Sequence, residues 1–114
     1  MIISDTKVVN EENFEVEVTK SEIPVLIDFW TTTCIPCRSL SVILDKFSHS
    51  VEGKLKMVKV NAEEQPGLAA RLGVRGVPTL MLFYHGEVIG SRGGFLLPHE
   101  LRHWIESVLN NTKN

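Results

Sequence analysis

The chain has 114 residues, 43% hydrophobic and 23% charged, with a net charge of -2 and two cysteines. That length supports one buried core and hardly two, so a single domain over residues 1–114 is expected. The slightly acidic balance leaves no basic footprint for nucleic acid, and no apolar run approaches the ~20 residues that span a bilayer.

The start, Met1-Ile2-Ile3-Ser4-Asp5, lacks the basic and long apolar regions of a secretory signal. With Met1 as the start, a cytoplasmic protein is expected, and disulfides there are usually transient and catalytic. Lys7-Val8-Val9 reads as a short first strand. Asn10 offers a helix cap, and Glu11 and Glu12 suit a first turn. Phe14 and Val18 stand four apart, as on a helix face. The run Phe14-Glu15-Val16-Glu17-Val18 also alternates as a strand does, so both readings stay open. Ser21-Glu22-Ile23-Pro24 is a connector.

Val25-Leu26-Ile27-Asp28-Phe29-Trp30 has the apolar character of a buried strand, interrupted by Asp28. A carboxylate in such a run is either an edge residue facing water or a buried, functional acid. Thr31-Thr32-Thr33 leads to Cys34-Ile35-Pro36-Cys37. Leu40, Ile43, Leu44 and Phe47 then recur at helical spacing, which predicts a helix to about His49. The cysteines therefore fall where a strand hands over to a helix. The first amides of a helix lack carbonyl partners and concentrate positive charge, so a thiolate placed there is stabilised as a nucleophile. A spacing of three brings the second sulfur to the same side, close enough to close a disulfide. Pro36 costs no helical hydrogen bond in a first turn. Half a zinc site and inert buried thiols are the alternatives, but a structural site needs four ligands and the chain has no second cysteine pair, and a strand-to-helix junction is an odd place for inert thiols.

Leu55 to Asn61 alternates as a strand, with Met57 and Lys59 on one face and Val58 and Val60 on the other. Lys59 alone could equally be a solvated strand-end lysine. Ala62 to Gly67 is a turn, and Leu68 to Leu72 a short helix stopped at Gly73. Gly76-Val77-Pro78-Thr79 precedes the apolar strand Leu80 to Tyr84. His85-Gly86 turns it into Glu87-Val88-Ile89-Gly90-Ser91, an antiparallel hairpin. Gly93-Gly94 allows close backbone approach. Pro98 opens a last helix, with Leu97, Leu101, Trp104, Ile105, Val108 and Leu109 on one face. His99 and His103 are four apart but have no third ligand nearby, so they read as a solvated face. The tail from Asn110 to Asn114 is expected to fray. Strands alternating with helices, then a hairpin and a last helix, predict an α/β sandwich with helices on both faces of a mixed sheet.

Three segments in order, Ile27-Asp28-Phe29-Trp30, Cys34-Ile35-Pro36-Cys37 and Gly76-Val77-Pro78-Thr79, resemble the thioredoxin family, over a span from about Val25 to Leu109. The resemblance implies a thioredoxin fold and favours helix at Phe14 to Val18. It implies protein-disulfide reduction, in which Cys34 attacks a client disulfide and Cys37 resolves the mixed disulfide. Asp28 would lie beneath Cys37 and handle its proton, paired with Lys59. Val77-Pro78 would be cis, beside the reactive sulfur. Clients would lie across Trp30, Thr33, Ile35, Pro36, Gly76, Val77, Pro78 and Gly94. The implied partners are disulfide-containing proteins and a thioredoxin reductase, acting on a monomer with no cofactor or metal. Two rivals remain: a disulfide oxidant or isomerase, and a binding module with dispensable cysteines.

The chain departs from the family pattern at three places. Thr33 stands where thioredoxins have tryptophan, Ile35 where they have glycine, and Val42 where a proline kinks the helix. Thr33 removes a flat contact beside Cys34 and Ile35 adds a branched one, so an altered client set is expected. Without the proline, a straighter helix is expected.

Overall fold

The computed structural model describes residues 6–112. The readings of Met1 to Asp5 and of Lys113 and Asn114 fall outside the described residues.

Five strands form one mixed sheet: β1 (Lys7–Val8), β2 (Val25–Trp30), β3 (Lys56–Asn61), β4 (Thr79–Tyr84) and β5 (Glu87–Gly93). Their order is β1-β3-β2-β4-β5. β3 pairs in parallel with β1 and β2, whereas β4 runs antiparallel to both β2 and β5. Among the described residues three α-helices accompany them, α1 (Ile35–Ser50), α2 (Pro66–Arg71) and α3 (Pro98–Thr112), with a π-helical turn before β2.

Side chains alternate across the sheet, and the alternation sorts the core. Leu26, Met57, Leu80 and Leu82 point to one face, where Leu40, Leu44 and Phe47 of α1 and Leu101 and Ile105 of α3 meet them. Val25, Ile27, Phe29, Val58, Val60, Met81 and Phe83 point to the other, under Val18 and Leu68. Helices thus cover both faces, giving the expected three-layer α/β/α sandwich.

Local chemistry sets the ends of these elements. Asn10 Oδ1 accepts from the amides of Glu12 and Asn13, which starts a helical turn as its residue type predicts. That turn continues as π-helix over Glu15–Thr19, so the ambiguous stretch is helical. Asn61 Oδ1 accepts from the amides of Glu63 and Glu64 and closes the turn after β3. His85 and Gly86 both have positive φ, 51° and 78°, the two-residue turn whose twist suits a hairpin. In β5 the register passes from Leu82↔Gly90 to Phe83↔Val88, which leaves Ile89 as an extra residue.

Two expectations about α3 need correction. Leu97 is 47% exposed rather than part of the apolar face, because it precedes the helix; Leu96 is buried instead. Glu100 reaches back to accept from the Leu97 amide, which caps the helix start. The helix also continues through Asn110 and Asn111 to Thr112, where fraying was expected.

Candidate active site

Cys34 is the N-cap of α1, with extended backbone, and its Sγ accepts from the Cys37 amide at 3.2 Å. Its carbonyl accepts the Arg38 amide and so closes the first turn. One free amide of the helix start is therefore aimed at this sulfur, which is the arrangement that stabilises charge on it. Cys34 and Cys37 form a disulfide, with their Cα atoms 5.2 Å apart. The two sulfurs differ in access. Cys34 is half-buried, whereas Cys37 is only 3% exposed.

Behind Cys37 lies a cavity of about 240 Å³. Asp28, Trp30, Lys59, Arg38 and Ser41 line it together with Cys37. Asp28 is placed there by the strand alternation that points Leu26 under α1, and it stands opposite Lys59 in the β2–β3 register. Asp28 is 7% exposed, and its Oδ1 has no hydrogen-bond partner. Burial pushes its carboxyl from 3.8 up to about 7; the Lys59 charge pulls it down and the Asp45 charge pushes it further up. The Trp30 Nε1 hydrogen is buried without a partner as well. Two unsatisfied polar groups thus belong to residues lining one cavity that has room for several water molecules.

The second part of the site is the loop before β4. Val77-Pro78 is cis, as the resemblance implies. Thr79 pairs with Phe29, so the buried Pro78 sits beside the end of β2, where the chain leaves for Cys34. Gly94 donates its amide to the Pro78 carbonyl at 2.9 Å. Its φ of 92° is what requires glycine, and an added Cβ there would meet no atom within 4 Å. Gly76 and Val77 share one cleft with Thr31 and an adjoining one with Pro78 and Gly94. Thr33, Ile35 and Pro36 line none of these clefts. They form exposed surface around Cys34, with Ile35 72% exposed.

The structure therefore brings Cys37, Asp28, Lys59 and Trp30 together on one side of the disulfide and the cis-proline loop together with Gly94 beside β2. Sequence reasoning missed Arg38 and Ser41 in the cavity and Asp45 behind it. A signal was present: Cys37, Ser41 and Asp45 recur every four residues along α1, a polar stripe beside the apolar one. Arg38 Nη2 donates to the Thr32 carbonyl at 2.8 Å and ties the loop before Cys34 to the helix. Among the described residues no group of three or more His, Cys, Asp or Glu could hold a metal, and no helix is long and apolar enough to cross a membrane.

Comparison with known proteins agrees with this geometry. The Thioredoxin family model matches residues 5–107. The chain is 44% identical over 107 residues to a thioredoxin of Synechocystis, covering 94% of this chain and 100% of that protein. It is 40% identical over 99 residues to a thioredoxin of Rickettsia bellii, covering 87% and 94% of the two chains. It is 36% identical over 103 residues to a thioredoxin of Haemophilus influenzae, covering 90% and 96%. With its disulfide at a helix start, its cis-proline next to the end of β2 and this kinship, the chain belongs to the thioredoxin family and is a thiol–disulfide oxidoreductase that reduces protein disulfides through Cys34 and Cys37.

Proposed function

We propose that Cys34 is the attacking sulfur, Cys37 the resolving one, and Asp28 the acceptor of the Cys37 proton. The observation that carries this reading is the asymmetry of the pair. Cys34 is the accessible sulfur at the helix cap, and Cys37 is buried against the cavity that holds Asp28.

In the reduced protein the Cys34 thiolate attacks one sulfur of a client disulfide. The client S–S bond breaks, a mixed disulfide forms, and the first client thiolate leaves to take a proton from water. The Cys37 thiol gives its proton, through water in the cavity, to the Asp28 carboxylate. The Cys37 thiolate attacks Cys34 Sγ, the Cys34–client bond breaks, and the second client thiolate leaves. Two electrons have passed to the client, and Cys34–Cys37 is oxidised. Lys59 steadies the Asp28 anion before it takes the proton. A thioredoxin reductase returns the two electrons.

Clients are held extended against Gly76, Val77, Pro78 and Gly94, which line one cleft in front of β4. Trp30, Thr33, Ile35 and Pro36 complete the contact surface. Ile35 in place of glycine narrows the clients to those that accept a branched apolar side chain next to Cys34. The chain works as one thioredoxin-like domain and a monomer in the cytoplasm, on proteins rather than on nucleic acid or membranes.

Insulin reduction with a standard thioredoxin reductase tests the assignment. Cys34→Ser should give no mixed disulfide with insulin, and Cys37→Ser should accumulate one. A Cys34→Ser protein that still captures insulin through Cys37 would reverse the roles.

A further inference from the structure

The cavity beside Cys37 is not the only one that Asp28 borders. On its other side, between α1 and β3, lies a narrow gap of about 10 Å³. Asp28, Ser41, Asp45 and Lys59 line that gap with Thr6. It has room for about one water at most, so little solvent separates the two carboxyl-bearing side chains. Asp45 comes two turns after Cys37 on α1 and is half-buried.

We propose that Asp45 is a positioning residue, whose carboxylate faces Asp28 across this gap and supports Asp28 as a proton acceptor. The proposal deepens the role given to Asp28 above and rests on it for its meaning in the reaction.

The charged and titratable groups that face Asp28 are few. From β3 comes Lys59, from α1 come Cys37, Arg38 and Asp45, and β4 opposes Asp28 with the uncharged Leu80. Arg38 already donates to the Thr32 carbonyl. Two cations therefore border the Asp28 cavities, and either would favour the anion. Among the described residues that line these cavities, Asp45 is the one acid besides Asp28 itself, and it opposes them. Its charge acts in the raising direction on Asp28, against Lys59. An acceptor held too far down would be a carboxylate too weak to draw a proton from a thiol. Burial supplies most of the needed rise, and Asp45 protects it from the neighbouring cations.

The test is an NMR titration of the Asp28 carboxyl carbon in the oxidised protein, where neither cysteine titrates. Asp45→Asn should lower the proton affinity of Asp28 by at least about threefold, and Asp45→Glu should hold it at the wild-type value. Asp45→Ser gives the same reading should the asparagine variant not fold. An Asp28 midpoint that stays put or rises in a folded, charge-free variant overturns the proposal. The pH profile of insulin reduction separates the two claims. A profile that moves with the midpoint supports both. A moved midpoint with an unmoved profile leaves the coupling of the two carboxylates intact and removes Asp28 as acceptor.

Discussion

Asp28 stands opposite Lys59 in the parallel β2–β3 register, and the two side chains close no direct ion pair. The lysine moderates the cost of a buried carboxylate by its nearby charge without cancelling it. The carboxyl remains shifted to about 7 by burial.

This cost has a pH window. The folded chain keeps the Asp28 proton until about pH 7, whereas an unfolded aspartate releases it near 3.8. Between those values the folded state binds more protons, so stability falls as pH rises through the window and levels off above it. Asp28→Asn removes the effect. The variant should gain up to about 4 kcal/mol over wild type at pH 8 and nearly nothing at pH 3. Urea unfolding of the oxidised proteins at both pH values checks this; equal stability at pH 8 would show that the carboxylate is relieved in some other way.

The two sulfurs should differ in reactivity once reduced. Cys34 should react with iodoacetamide at pH 7 at least about tenfold faster than Cys37, which is buried, and faster than a simple free thiol. Mass spectrometry of the singly alkylated protein gives the site. Equal labelling would remove the asymmetry on which the attacking role rests.

Ile35 is exposed enough for its side chain to contribute little to the core. Ile35→Ser should leave the unfolding midpoint within about 0.5 kcal/mol of wild type. It should change kcat/KM for protein disulfides by at least about threefold and leave the rate with dithiothreitol alone. Unchanged kinetics with insulin and a second protein client would place Ile35 outside the contact surface.

Leu40 lies one turn beyond Cys37 and is wholly buried between α1 and the sheet. Leu40→Ala should cost about 3 kcal/mol, from lost burial and the cavity left behind. Guanidinium unfolding reads the loss directly. A cost below about 1 kcal/mol would mean that α1 repacks freely, and its grip on the disulfide would then need another source.

Much of this was legible because the decisive signals are local. The apolar strand, the cysteine spacing and the helical recurrence of Leu40, Leu44 and Phe47 fix where the disulfide sits. Phe14 to Val18 was not legible, because five residues satisfy both periods. The decision comes from far away: Phe14 packs edge-on against Phe83, and Val18 is buried under the sheet while Val16 stays exposed. Leu97 was misread because periodicity carries on past a helix start, whereas the cap formed by Glu100 puts Leu97 outside it. Asp28 could be located, but its neighbours could not. Which acids and bases share its cavities depends on how α1 lies over β2 and β3. The polar stripe of Cys37, Ser41 and Asp45 shows only that such a meeting is possible.

The two rims of the sheet suit a carrier that handles stretched chains. One rim is the two-residue β1, and the other is β5, kinked by the unmatched Ile89. Among the described residues neither offers the long, straight ladder of free amides and carbonyls on which an intruding segment could add as a sixth strand. A protein that meets half-unfolded chains is thereby guarded at its rims against fibre-like growth.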